Sequence, residues 1–313
     1  MVFHQADILE MMGSEAGESL TFQRAIELFE TLYMASRNLT ERTRIEYRTD
    51  VEQLASFLNA QGTTKPAEVG LSHLQAFMAE LDAKRLTGVT RRRKTSSIRA
   101  FFGFLTSSGL IPHNPTLQLV PPKREYNEPR FLTSGEYQAL LQACSHDIRD
   151  TAIIGLLLQT GIRLSEIARL TVYDIELPTH INRDPANTGS MFIQGKGRRQ
   201  RTLPLNFKAC RALKEWLSIR PDITSPALFV TKFREPMQPR GIEEVVAKYL
   251  KAAGIQRASV HSLRHTFGTH HIMKGTDLRT IQEAMGHADL KTTSIYVSMA
   301  KEAMKRQIQN HAL

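Results

Sequence analysis

Four prolines within eleven residues limit what this chain can fold into: Pro112, Pro115, Pro121 and Pro122. Proline fixes φ and has no N–H, and it pushes the preceding residue out of the helical region. A continuous helix or a central strand therefore cannot cross this stretch. We predict an extended linker over 111–130 that separates two domains. A length of 313 residues agrees with two domains of roughly 100–200 residues each.

The part before the linker has helical periodicity only. Residues 1–18 are a polar, acidic lead-in. Over 19–110, apolar residues recur at helical spacing, which predicts four helices at about 20–34, 40–58, 71–81 and 90–106. We therefore predict a helical domain without strands.

The part after the linker, 131–313, is mixed. Two short apolar runs at about 191–194 and 201–205 flank a glycine-containing turn, which predicts a β-hairpin. A polar loop spans 178–190. Helices are predicted from residue 132 and at about 147–159, 164–170, 207–219, 241–253, 262–273, 277–285 and 291–308. The predicted fold class is mainly α with a small β-sheet.

Positive charge is concentrated after residue 60. The chain has 41 Lys and Arg against 31 Asp and Glu, a net charge of +10. Residues 1–60 carry net −5, whereas 61–126 carry +6 and 127–313 carry +9. Cationic surfaces attract polyanions and release their counterions. On charge alone, two interpretations are equally supported: a nucleic acid partner, or a basic surface that is simply solvated.

Several classes of protein are excluded by pattern. The longest apolar run, near 152–158, is far below the roughly 20 residues that cross a bilayer. The first residues lack the basic start of a secretory signal. Cys144 and Cys210 have no metal-ligand spacing, so neither a disulfide scaffold nor structural zinc is predicted. We expect a reducing, cytoplasmic location.

Two cationic positions after the linker are candidate phosphate contacts. Arg163 begins an apolar helix, with Glu166 on the same helix face as its partner. Taken alone, the pair is more often a structural ion pair. Lys196 lies between Gly195 and Gly197 on the predicted turn, where it can reach a phosphate or simply be solvated. The surrounding residues do not form a Walker A loop.

Three further positions lie near the end of the chain. His261 and Arg264 are three residues apart on one helix, and the His261–His265 spacing admits zinc only weakly because the HExxH pattern is absent. His287 follows a helix-ending glycine and would ordinarily be a surface residue. Tyr296 would ordinarily be core, but beside cations its phenol could attack a phosphodiester.

The order of these residues is more specific than any one of them. Arg, turn Lys, His-x-x-Arg, Gly-His and a Tyr nine residues later resemble the tyrosine recombinase (phage integrase) family. The segments TGIRLSEIARL, GKGRRQRTLPL, HSLRHTFGTH and MGHADLKTTSIYV resemble its Xer branch. The resemblance spans nearly the whole chain.

The resemblance implies a chemistry. Tyr296 would attack a DNA phosphate to form a 3′-phosphotyrosine, and Lys196 would protonate the leaving 5′-oxygen. The other implied roles are phosphate binding by Arg163, Arg264 and His287, proton transfer by His261, and orientation of Arg163 by Glu166. Fixed guanidinium groups take the place of a metal, so no metal, cofactor or ATP is expected.

The resemblance also implies a C-shaped clamp of two domains around duplex DNA. Candidate DNA contacts are Arg91, Arg92, Arg93, Lys94 and Arg99 on the fourth helix and Arg198, Arg199 and Arg201 at the hairpin. Which of them read bases is not encoded in the pattern. The DNA site would be an inverted repeat.

Assembly and biological role follow from the same resemblance. A homo- or hetero-tetramer would join two DNA sites, with the tail 297–313 docked on a neighbouring protomer. The long 178–190 loop and the lead-in leave open an Xer-like dimer-resolution role or a mobile-element resolvase or integrase. The alternatives are a type IB topoisomerase and a catalytically silent DNA-binding accessory protein.

Overall fold

A computed structural model describes residues 20–123, 130–184, 187–195 and 200–286. The chain divides into two compact units, Met1–Asn127 and Glu128–Leu313. The division falls inside the predicted linker 111–130, but after Pro122. The predicted start of the linker was wrong, because Ile111 and Leu119 are buried in the core of the first unit.

The described residues of the first unit form helices, turns and loops without a strand. Its helices are Phe22–Leu28 (α1), Glu41–Asn59 (α2), Leu71–Ala83 (α3) and Gly88–Ser107 (α4). The first helix continues as a π-helical turn over Phe29–Met34, and a 3₁₀ turn spans Pro66–Glu68. Thr21, Thr40 and Thr87 cap α1, α2 and α4 through their side-chain oxygens. The core of this unit is rich in aromatic residues, with Phe29, Phe77, Phe101 and Phe102 almost fully buried.

The second unit adds one small sheet to a set of helices. The helices are Ser134–Cys144 (α5), Ile148–Thr160 (α6), Leu164–Ile167 (α7), Phe207–Ile219 (α8), Pro239–Ala252 (α9), Val260–Met273 (α10) and Leu278–Met285 (α11). The strands Ile175–Glu176 (β1), Gly189–Gln194 (β2) and Gln200–Leu205 (β3) form an antiparallel sheet in the order β1-β2-β3. A 3₁₀ turn over Val172–Asp174 precedes β1.

Helix α6 is the centre of the second unit. It packs against α5, α8, α9 and α10. Its residues Ala152, Ile153, Ile154, Leu156, Leu157 and Leu158 are all buried, because a helix that is apolar on all sides must be covered on all sides. It ends at Gly161, whose φ of 59° is the left-handed conformation that favours glycine at a helix end.

The structure confirms most of the predicted elements, shortens one helix and adds two elements that were not predicted. Helix 164–170 is shorter, because only Leu164–Ile167 is α-helical before the chain turns toward β1. Strand β1 has two residues and was not predicted, since so short a strand carries no alternation signal. The π-helical turn also has no sequence signature. The predicted helix 291–308 lies outside the described residues.

Within the residues that the structure describes, no helix is long and apolar enough to span a bilayer. Cys144 and Cys210 are buried free thiols.

Candidate active site

Arg163 and Glu166 form a compact unit at the start of α7. Arg163 is the N-cap residue, and its backbone N–H donates to Glu166 Oε2 at 2.9 Å. Its side-chain Nη1 donates to Glu166 Oε1, also at 2.9 Å. Glu166 therefore caps the helix and fixes the guanidinium with one carboxylate. The predicted partnership of the two residues is confirmed.

A second guanidinium, that of Arg201, binds the same carboxylate. Arg201 Nη1 and Nη2 donate to Glu166 Oε1 and Oε2 at 3.0 and 2.8 Å. Its Nε donates to the backbone oxygen of Ala284 at 3.0 Å. The sequence suggested Arg201 as a DNA contact, whereas the structure gives it internal partners on α7 and α11.

These contacts keep Glu166 ionised. Burial acts to raise the pKa of Glu166, but hydrogen bonds from Arg201 and from the backbone of Arg163 outweigh it and hold the pKa at about 2. Near neutral pH the site therefore contains an ionised carboxylate between two guanidinium groups.

Arg264 is held from two sides on α10. It is buried, and its Nη1 and Nη2 donate to the backbone oxygens of Gly161 and Met285. The Gly161 oxygen is available because the left-handed glycine ends α6 at this point. A Cβ at Gly161 would lie 2.5 Å from the Phe267 ring, so the position needs glycine on steric grounds as well.

The C-terminal end of α11 gathers the three arginines. The backbone oxygens of Ala284, Met285 and Gly286 accept hydrogen bonds from Arg201, Arg264 and Arg163 respectively. The last carbonyls of a helix have no partner in the helix and carry its negative dipole end, which suits cations. We refer to Arg163, Glu166, Arg201, Arg264 and the 284–286 backbone as the arginine cluster.

Gly286 ends α11 in the left-handed conformation, with φ 65°. This confirms the predicted helix-ending glycine. A Cβ here would lie 2.7 Å from Arg201 Nη1 and 3.1 Å from Arg163 Nη1. The glycine therefore allows both guanidinium groups to approach the backbone that leads to His287.

His261 lies one turn before Arg264 on α10 and is exposed. The neighbouring His265 is half-buried, and burial, with the charges of His261 and Arg264, lowers its pKa.

The remaining predicted residues fall outside the described residues: Lys196, Arg198, Arg199, His287, Tyr296 and the tail 297–313. In the part of the chain that is described, no three His, Cys, Asp or Glu side chains are grouped as metal ligands would be.

The candidate DNA contacts of the first unit lie on α4 and differ in accessibility. Arg92 and Arg99 are exposed and donate to the backbone oxygens of Pro122 and Leu119. Arg91 is half-buried and pairs with Asp82 at 2.8 Å.

Arg93 and Lys94 share one buried carboxylate. Arg93 donates to both oxygens of Asp50, at 2.6 and 2.9 Å. Lys94 Nζ donates to Asp50 at 2.8 Å and to Gln53 at 2.6 Å. The Arg93 side chain remains 40% exposed, but that of Lys94 is 8% exposed. A phosphate contact by Lys94 would have to break these bonds, because Lys94 lies one turn before Ile98 on the buried face of α4.

Two functional features were missed from sequence, although a signal for each exists. Along β3, side chains alternate, so Arg201 shares the inward face with Leu203 and Leu205. Asp50 lies one turn before Leu54 on the apolar face of α2. A charged residue on a buried face needs a partner, and its position alone indicates an internal role.

Comparison with known proteins agrees with this fold. The phage integrase family model matches residues 130–303, and the phage integrase N-terminal SAM-like domain model matches residues 26–109. The tyrosine recombinase XerC of Listeria innocua serovar 6a is 32% identical over 289 residues, which cover 88% of this chain and 93% of the relative.

Two solved structures have the same fold at low identity. The XerH site-specific recombinase bound to a palindromic difH substrate matches with a TM-score of 0.73 at 19% identity, over 96% of this chain and 92% of that one. A lambda integrase tetramer bound to a Holliday junction matches with a TM-score of 0.71 at 16% identity, over 90% of this chain and 78% of that one.

Together these matches define the fold class as that of the tyrosine recombinases and integrases, mainly helical with a small antiparallel sheet. The chain belongs to the phage integrase family, as a tyrosine recombinase of the Xer-like branch. It is a site-specific DNA recombinase.

Proposed function

We propose that this enzyme breaks and rejoins DNA strands through Tyr296, with Arg163 and Arg264 of the arginine cluster binding the scissile phosphate. The observation that carries the proposal is the convergence of Arg163 and Arg264 on the adjacent carbonyls of Met285 and Gly286, immediately before His287. Two guanidinium groups fixed at one point can hold two non-bridging oxygens of one phosphodiester.

Arg163 is suited to be the cation that reaches the phosphate. Its contacts to Glu166 and Gly286 use two of the five N–H donors of a guanidinium. Its side chain is 37% exposed. Arg264 is more deeply buried than Arg163 and is fixed by its hydrogen bonds to the backbone oxygens of Gly161 and Met285. Preorganised charge of this kind stabilises the charge that develops in the transition state.

The chemical step conserves the energy of the phosphodiester. The Tyr296 oxygen attacks phosphorus, the bond from phosphorus to the 5′-oxygen breaks, and a 3′-phosphotyrosine forms. The phenol has an ordinary pKa of about 10, so its proton passes to a base, for which His261 is the candidate. Lys196 gives a proton to the 5′-oxygen. Attack by a 5′-hydroxyl of another strand reverses the step and joins the new partner, so no ATP is consumed.

In the first unit, we assign DNA contacts to the accessible cations of α4, Arg92, Arg93 and Arg99, with Arg91 at the edge. At the hairpin, Arg198 and Arg199 remain candidates. The palindromic site of the XerH complex supports an inverted-repeat target, and the lambda integrase tetramer supports a tetramer on two sites. In that assembly the tail 297–313 would dock on a neighbour. Both dimer resolution and mobile-element resolution or integration fit this arrangement.

The test uses nicked duplex DNA, from inverted repeats beside the protein's own gene, as a suicide substrate. Wild type should form a covalent protein–DNA band on a denaturing gel, and Tyr296→Phe should not. Joining of the trapped strand to a second duplex would separate a recombinase from a type IB topoisomerase. Binding without any band would indicate an accessory protein, and a band that persists in Tyr296→Phe would refute the assigned nucleophile.

A further inference from the structure

Arg201 occupies a position in the site that the candidate catalytic set does not explain. It is on β3, yet its guanidinium joins α7, through both oxygens of Glu166, to the end of α11, through the Ala284 oxygen. Its side chain is 16% exposed, less than half the 37% of Arg163. Arg201 therefore faces the protein, while Arg163 faces outward.

The charges of the cluster give Arg201 a specific task. Glu166 is 6% exposed at its side chain and pairs with both arginines. Without Arg201, one carboxylate and one guanidinium would form a neutral pair, and the full negative charge of Glu166 would oppose a bound phosphate. With Arg201, the group of three keeps a net charge of +1.

The contacts of Arg201 also fix geometry. Its Nε–H points to Ala284, two residues before Gly286, and a Cβ at Gly286 would meet Arg201 Nη1 and Cζ at 2.7 and 2.9 Å. The same guanidinium thus contacts both Glu166, which holds Arg163, and the end of α11 that precedes His287. A lysine has no planar fork and cannot supply these three directions at once.

From this geometry we propose that Arg201 is a positioning residue for strand cleavage: it neutralises Glu166 and locks Glu166 to the end of α11, so that Arg163 keeps its charge and its orientation for the phosphate. The inference rests on the proposed function of Arg163 at the scissile phosphate. It differs from the sequence-based assignment of Arg201 as a DNA contact.

The test measures two quantities for the full-length protein on nicked inverted-repeat DNA. The first is the single-turnover rate of covalent adduct formation at saturating protein, and the second is the affinity for intact DNA as a function of salt. Arg201→Met should cleave about 100-fold more slowly, the scale expected for a misplaced catalytic group. Its DNA affinity and salt slope should equal those of wild type. Arg201→Lys should recover only part of the cleavage rate.

The double variant Arg201→Met/Glu166→Gln separates this role from simple loss of structure. Removing the carboxylate removes the charge that Arg201 neutralises, so the double variant should cleave faster than Arg201→Met alone. The matched control is Arg211→Ala, which deletes an exposed arginine and its 3.2 Å pair with Glu215 on α8, and it should match wild type. Thermal melting verifies that each variant is folded.

The outcomes are distinct. Arg201→Met could instead bind DNA more weakly, with the salt slope reduced by about 1, and cleave at the wild-type rate at saturation. That result would make Arg201 a phosphate contact and overturn the proposal. A double variant no faster than Arg201→Met would overturn the charge argument. If wild type forms an adduct and Arg201→Met cleaves equally fast, the positioning role of Arg201 is refuted while the proposed function stands. Wild type without any adduct would refute the proposed function, and this inference with it.

Discussion

At the scale of single residues, each buried carboxylate of the described residues is paired with two cationic side chains. Asp50, Asp150 and Glu166 are the buried carboxylates of the described residues. Each lies within ion-pair distance of two cations: Arg93 and Lys94, Arg149 and Lys248, and Arg163 and Arg201. A charge removed from water needs such compensation, and loss of the carboxylate removes the counter-ion of both cations at once.

Asp50 should consequently be critical for the stability of the first unit. Asp50→Asn removes the negative charge that pairs with buried Lys94. It also replaces one of the two oxygens to which Arg93 donates with an NH₂ group, which cannot accept. We expect a loss of about 3 kcal/mol or more in urea unfolding. Glu52→Gln is the control on the same helix, because Glu52 makes an exposed pair with Arg48, and it should cost under about 1 kcal/mol. Equal losses in the two variants would contradict the assignment.

Glu166 should make stability depend on pH in the acid range. Its pKa is about 2 when folded against an ordinary 4.5, so the unfolded chain takes up the proton first as the pH falls. The stabilisation is complete above about pH 5 and is lost as the pH falls toward 2, by up to about 3 kcal/mol. The difference in unfolding free energy between wild type and Glu166→Gln should therefore shrink from pH 6 to pH 3. A constant difference would show that Glu166 does not titrate in this way.

At the scale of elements, helix ends build the site. Asp147 caps the start of α6 and Gly161 ends it, which leaves the Gly161 carbonyl for Arg264. Gly286 ends α11 in the same conformation and leaves its own carbonyl for Arg163. Two arginines that are distant in sequence are thus anchored by the same kind of helix end.

The two glycines of the α6 region should respond oppositely to alanine. Gly161→Ala forces a left-handed alanine, which costs about 1–2 kcal/mol, and places a Cβ against Phe267. Gly155→Ala lies inside the helix, where a Cβ meets nothing within 4 Å, so it should stabilise by about 0.5–1 kcal/mol. Thermal melting of both variants is the measurement. A stabilised Gly161→Ala would contradict the role of this helix end.

At the scale of the whole molecule, the described residues form separate cores. One cluster of buried apolar residues extends from Leu20 to Leu119, and the main cluster of the second unit extends from Leu132 to Leu263. A smaller cluster, including Phe267 and Met285, lies beside the arginine cluster. Each unit thus has the apolar core that an independently folding domain needs.

We therefore expect two unfolding transitions in calorimetry. Phe101→Ala removes a fully buried ring from the first unit and should lower one transition by roughly 10 °C or more. Leu157→Ala, in the core of the second unit, should lower the other. If either variant shifts both transitions equally, the two units unfold as one.

Local sequence rules were enough to predict the two hairpin strands, most helices and the linker region in which the two units divide. Within the candidate site they predicted the pairing of Arg163 with Glu166 and the helix-ending Gly286, while the catalytic roles remain predictions from the resemblance. These features depend on local rules: φ restrictions, the periods of helices and strands, and glycine at helix ends. Which cations face inward depends instead on tertiary packing. Arg201 meets Glu166 across 35 residues, Lys94 meets Asp50 across 44, and Arg264 meets Gly161 across 103. A periodic pattern places a side chain on a face, but its partner is chosen by the packing of elements far apart in the chain, and that packing separates an internal counter-ion from a cation available to DNA.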